Sequence, residues 1–306
     1  VRIDGAAKII SLGARVAADE IIISADDTLD ASTGNYDVTT YGDFINNGSF
    51  ISRNGGVYFA ATSTGAVVSA GGDSFYDAYF NGIGGSWAFT ESNIDFNNDL
   101  SIATGTLAMP VGTTTIGGSF SSATGTFMHN NGAIVFDATT PGHTIRTNAS
   151  TYLNAFYNVT FDGVGGAWTF TDTNATTSNI FTIENGSVTL PSGQLTVNSD
   201  FLTNGGAFSH NNGEVILLVS DDDSVTTNGS SFNDVRVRGG VLSSSWYNDA
   251  WSYRTPITIQ ATAIDDDLND FPVYVDLANL PASFFSAVRS DGGDIRVTAS
   301  DGVTEV

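Results

Sequence analysis

The sequence predicts an all-β protein whose residues 1–240 wind into a right-handed parallel β-solenoid, followed over 241–306 by the first part of a jelly-roll-like β-sandwich. Three observations carry that prediction: strand-like alternation of apolar residues, Asn-Gly turns throughout, and an internal repeat of 81 residues. FNGIGGSWAF at 80–89 returns as FDGVGGAWTF at 161–170, with every Gly and Trp kept.

The alternation is explicit in the second copy: Tyr157, Val159 and Phe161, then Trp168 and Phe170, Phe181 and Ile183, Val188 and Leu190, Leu195 and Val197. Side chains that alternate with period two belong to strands. Asn-Gly pairs begin at 47, 54, 81, 131, 185, 204, 212 and 228 and read as turns between short strands. No stretch has the period of an amphipathic helix.

The repeat extends beyond its Trp motif. Met109–Gly112 matches Leu190–Gly193, and His129–Gly132 recurs unchanged as His210–Gly213, both at the same interval of 81. Partial copies flank the pair: 42–59 parallels 199–216, and 231–237 parallels 155–161. A string of β-sandwiches of about 90–100 residues each, not far from 81, is the competing reading. The solenoid is favoured because strand–turn–strand units of 20–27 residues recur inside each copy. Three or four coils per copy are expected, with like residues above like, and stacking at ~4.8 Å gives a rod about 50 Å long. GIGG and GVGG are then corners that need left-handed backbone. Trp87 and Trp168 fill the core in this reading, and sugar-stacking platforms are the alternative.

Composition limits the partners. The net charge is −23, from 33 acidic and 10 basic residues, with Lys8 the single lysine. Such a surface repels phosphate backbones and anionic membranes, so no nucleic-acid partner is expected. Asp dominates the acidic residues, which suits turns, because Asp tolerates left-handed conformations and caps them. With no cysteine there is no disulfide framework, thiolate site or cysteine nucleophile. No apolar run approaches the ~18–20 residues of a membrane helix, so no membrane insertion is expected. The start at Val1 reads as a mature or excerpted piece of a longer precursor.

Candidate chemistry is sparse. His129 and His210 sit beside equivalent Asn-Asn-Gly turns and read as turn residues; His143 follows Pro141-Gly142, and no Ser/His/Asp set converges. Asp221, Asp222 and Asp223 with Arg236 and Arg238 are the local candidates for a polysaccharide-cleaving site. Successive strand residues point to opposite faces, so they make no matched carboxylate pair. Calcium is the possible cofactor, on Asp265, Asp266, Asp267 and Asp270 and on Asp291, Asp294 and Asp301, because hard cations take clustered oxygen ligands. Neither cluster matches an EF-hand. Glycosylation sequons begin at Asn47, Asn148, Asn158, Asn174, Asn185 and Asn228.

GDFINNGSF, NNGEVIL and FYNVTFDG resemble the repeats of bacterial surface proteins with parallel β-solenoid folds, found in adhesin-like and other cell-envelope proteins. Near residue 241 the rhythm changes. Trp251, Tyr253 and Arg254, then Phe271, Pro272 and Val273, then Asp294, Ile295 and Arg296 resemble the opening of the family called domain of unknown function 2341. That resemblance implies a jelly-roll-like module on secreted or surface proteins of bacteria and archaea.

The expectation is therefore an extracellular or cell-surface structural and adhesive protein without enzymatic activity, a filament or surface-layer subunit. Its expected partners are copies of itself joined end to end, other surface proteins, or glycans. The alternatives are a carbohydrate-binding protein and a solenoid enzyme acting on polysaccharide.

Overall fold

A strand with one apolar side must cover it, and a chain of short strands can cover all such sides by winding them round a common axis. A computed structural model has this arrangement; it describes residues 1–122, 124–148, 154–220, 223–238 and Arg289. The chain divides into two units, Val1–Gly240 and Val241–Val306, and the strands below belong to the first. Strand pairing is parallel throughout the described residues, which hold no α-helix and form a β-solenoid of about 11 turns.

Each turn has three faces. The first stacks Val38, Val57, Ala78, Leu100, Phe120, Ile145 and Phe170. On the second stand Ile21, Phe44, Val68 and Phe89. The third carries Ile94, Thr114, Ile134, Val159, Phe181 and Phe201. A turn takes from 19 residues, Val38 to Val57, up to 25, Ile134 to Val159.

The repeat does not fit a whole number of turns. Starting from Ala78, the same face is met again at Leu100, Phe120, Ile145 and Phe170. Val159, 81 residues after Ala78, falls between the last two and lies on the third face. One repeat thus advances three turns and two further faces. Trp87 accordingly stands on the second face between Ala66 and Leu107, and Trp168 on the first between His143 and Val188. Equivalent residues of the two copies therefore do not lie above one another, because the repeat is eleven faces long and a turn is three; like stands above like only between neighbouring turns, as Phe59 and Phe80 do.

What recurs is the local environment. Phe80 and Trp87 have ring centroids 5.3 Å apart, as do Phe161 and Trp168, and both tryptophans are 1% exposed. Those rings are core, which removes them as sugar platforms. The 13-residue strands Asp77–Phe89 and Asn158–Phe170 each turn a corner at GIGG or GVGG. A Cβ at Gly82 would come within 1.8 Å of the Ala61 carbonyl oxygen, and one at Gly163 equally close to that of Ala138. Only glycine lets the backbone pass so near the turn beneath. Stacked phenylalanines continue the core from turn to turn, with Phe59 on Phe80 at 4.4 Å, Phe136 on Phe161 and Phe181 on Phe201 at 5.1 Å.

The abundance of Asp and Asn has a second cause besides turns. Backbone N–H groups beside the corners need acceptors. Asp37 Oδ1 accepts from Gly56 N–H at 3.0 Å, Asp43 Oδ1 from Val67 at 2.7 Å, Asn174 Oδ1 from Gln194 at 2.8 Å, and Asp200 Oδ1 from Ser224 at 2.6 Å. Each side chain ties its own turn to the next.

Candidate functional site

One patch of the first face departs from the repeat. Tyr58, Tyr79, Ser101 and Ser121 follow one another in register along successive turns, all on the outer side of the strands that bury Val57, Ala78, Leu100 and Phe120. Beside them runs the column Asp37, Gly56, Asp77, Asp99 and Ser119. The Tyr58 and Tyr79 rings stack at 4.7 Å with 16° between their planes, and Tyr58 is 36% exposed. Gly56 makes room for them: a Cβ there would meet Cε2 of Tyr79 at 3.2 Å and Cε2 of Tyr58 at 3.3 Å.

The carboxylates beside the rings are fixed from one side. Asp77 Oδ1 accepts from Asp99 N–H at 3.0 Å and from Asn98 Nδ2 at 2.8 Å, and Asp99 Oδ1 accepts from Ser119 N–H at 2.7 Å. The second oxygens of Asp37 and Asp99 take no hydrogen bond among the described residues. Burial, and next the Asp77 charge, push the Tyr79 phenol up to about 12. The Tyr58 phenol is raised first by burial, then by Asp37 and Asp77, with Arg15 opposing. Both hydroxyls therefore stay protonated at neutral pH. This combination of an aromatic pair, neutral hydroxyls and anchored carboxylates can hold a polyhydroxylated or cationic group.

The second copy of the repeat lacks these features. Asp77, Tyr79, Asp99, Ser101 and Ser121 correspond to Asn158, Thr160, Ile180, Thr182 and Leu202. The sequence reading missed the pair because its rings lie one turn apart, at an interval fixed only by the register. The departure of Tyr79 from Thr160 was the available signal.

The residues proposed from the sequence are placed differently. Asp265, Asp266, Asp267, Asp270, Asp291, Asp294 and Asp301 lie outside the described residues, as do Asp221 and Asp222. Among the described residues no group of three or more His, Asp or Glu could hold a metal ion. Asp223 closes its own loop, accepting from Ser220 N–H at 2.5 Å and from Ser199 Oγ at 2.7 Å, and Arg236 pairs with Glu214 at 2.8 Å. These groups face different partners and form no catalytic pair. His129 Nδ1 accepts from Asn131 N–H at 2.9 Å and His210 Nδ1 from Asn212 N–H at 3.0 Å, so both are turn residues. Of the sequon asparagines, Asn158 and Asn174 accept amides of the next turn, while Asn185 and Asn228 donate to Asp162 and to the Gly206 carbonyl.

Comparison of the chain with protein-family models, with curated proteins and with solved structures finds no match. The two family resemblances drawn from the sequence thus have no family match behind them. No helix among the described residues is long and apolar enough to cross a membrane.

Proposed function

We propose that this chain is an extracellular structural and adhesive protein, a β-solenoid spacer at a cell surface. One observation carries the reading: the residues kept between copies, Trp87 and Trp168, the corner glycines and the His-Asn-Asn-Gly turns, all go into core and corners. A sequence that repeats only its scaffold is specifying length and stiffness. The acidic, lysine-poor, Asn-rich composition supports an external location. Antibodies against residues 1–240 are expected to label intact cells of the source organism. Labelling only after permeabilisation overturns the reading.

Two further elements belong to this proposal. Contact between copies, in a filament or lattice, predicts light scattering that rises with concentration; a concentration-independent monomer removes it. Calcium on the Asp265–Asp270 and Asp291–Asp301 clusters predicts a melting temperature raised by millimolar calcium and restored by EDTA. Identical melts remove the metal. The second functional reading, carbohydrate binding, is favoured by the outward Tyr58–Tyr79 pair and its carboxylates.

A further inference from the structure

The far side of the Tyr79 ring offers a ledge. Tyr58 covers its near side at 4.7 Å. On the next turn the register sets Ser101 opposite Tyr79, with Ser121 beyond it, and a serine is too short to cover a phenol ring. Asp99 stands beside Ser101, its Oδ1 held by the Ser119 amide and its Oδ2 unbonded among the described residues. The wall is therefore aromatic, the floor carries hydroxyls, and a fixed carboxylate oxygen flanks both.

Those three features complement a pyranose ring, whose C–H face packs on an aromatic plane while its hydroxyls donate to carboxylate and serine oxygens. Charge selects among sugars. Asp37, Asp77 and Asp99 crowd one column of a chain with net charge −23. The cation that follows on the serine row, Arg146 opposite Ser121, is paired with Asp172 at 3.8 Å, so uronate- or sulfate-bearing glycans are disfavoured. The Phe59–Phe80 stack has a counterpart in Phe136–Phe161, but the Tyr58–Tyr79 stack beside it has none: Val135 and Thr160 stand at the equivalent register positions, and Ile180 takes the place of Asp99.

We propose that Tyr79, Asp99, Ser101 and Ser121 form a binding ledge for a pyranose glycan that carries no acidic groups. The proposal rests on the carbohydrate-binding reading and puts the reader on the solenoid itself rather than on residues 241–306.

The test uses the 306-residue chain, titrated calorimetrically with cello-, manno- and chito-oligosaccharides and with oligogalacturonate as the acidic counterpart. At least one neutral series is expected to bind, and oligogalacturonate is not. Tyr79→Ala should weaken binding roughly tenfold, the scale of one lost aromatic contact. Ser101→Leu, which blocks the floor and leaves both rings in place, should abolish it, so the proposal does not depend on how Tyr79→Ala folds. Thr160→Ala, at the equivalent place in the second copy, should change nothing. Absence of binding by every neutral series at millimolar concentration, binding indifferent to Tyr79→Ala and Ser101→Leu, or preference for oligogalacturonate would each overturn the proposal. None of these outcomes touches the surface-labelling test, so the two readings fail separately.

Discussion

A Cβ atom on Gly105 would lie 2.7 Å from Cζ3 of Trp87, and one on Gly186 would lie 2.9 Å from Cζ3 of Trp168. Both glycines are left-handed, with φ of 82° and 78°. Each tryptophan thus presses against a corner of the following turn, and the two copies share one solution. Gly105→Ala and Gly186→Ala are each expected to cost about 2–4 kcal/mol, from strained φ and overpacking together. Urea midpoints measure this, and an unshifted midpoint in either variant would break the link between ring and corner.

The tryptophans are selected for volume rather than polarity, since neither Nε1 has a hydrogen-bond partner despite full burial. Trp168→Ala should cost about 3–5 kcal/mol through the cavity it leaves. Trp168→Phe removes the unpaired N–H along with part of the ring and should cost about 1–2 kcal/mol. Equal costs for the two variants would refute the argument.

Asn46, 1% exposed, is a buried polar junction. Its Nδ2 donates to the Ala70 carbonyl at 2.7 Å and to Asp73 Oδ2 at 2.9 Å, while its Oδ1 accepts from Gly48 N–H at 3.0 Å. Asn46→Leu strands a carbonyl and an amide and is expected to cost about 2–3 kcal/mol. A leucine variant as stable as the parent would show that water or rearrangement satisfies both.

Two carboxylates should respond to acid with opposite sign. Arg53 donates to Asp30 at 2.6 and 2.9 Å and holds that carboxyl below its usual range, so its stabilisation is present above about pH 4 and is lost as pH falls further. The melting-temperature gap between parent and Arg53→Gln should be open at pH 7 and close near pH 2. Asp137 is exposed at its strand end, so burial of its carboxyl is only partial; that burial foremost, and also the Asp162 charge, raise the carboxyl against one opposing backbone hydrogen bond and disfavour its ionised form modestly. Asp137→Asn should therefore raise the melting temperature at pH 7 and have no effect at pH 3. Gaps independent of pH would count against both assignments.

Strand periodicity and the Asn-Gly turns made the solenoid legible, and the burial of Trp87 and Trp168 follows from their place after the glycine corners. The stacking order was not legible, because turn length varies between 19 and 25 residues and the sequence does not print where a face ends. For the same reason the ties from Asp37 to Gly56 and from Asp43 to Val67 were hidden: their spans are 19 and 24 residues, so no fixed interval reveals them. Nothing in the sequence marks Asp27 as buried, yet it is 1% exposed and accepts from the Gly5 and Lys8 amides. The Tyr58–Tyr79 ledge arises from the same register.

Because eleven faces make one repeat, each copy is delivered a third of a turn out of phase with the last and about 18 Å further along the axis at ~4.8 Å per turn. The exposed corner residues Ile83 and Val164 show the effect, pointing from different edges of the rod. Three repeats carry the cycle through every azimuth and return it to its starting bearing after eleven turns. A tract lengthened by whole repeats would have neither a front nor a back, and anything written once per repeat would be met from every side.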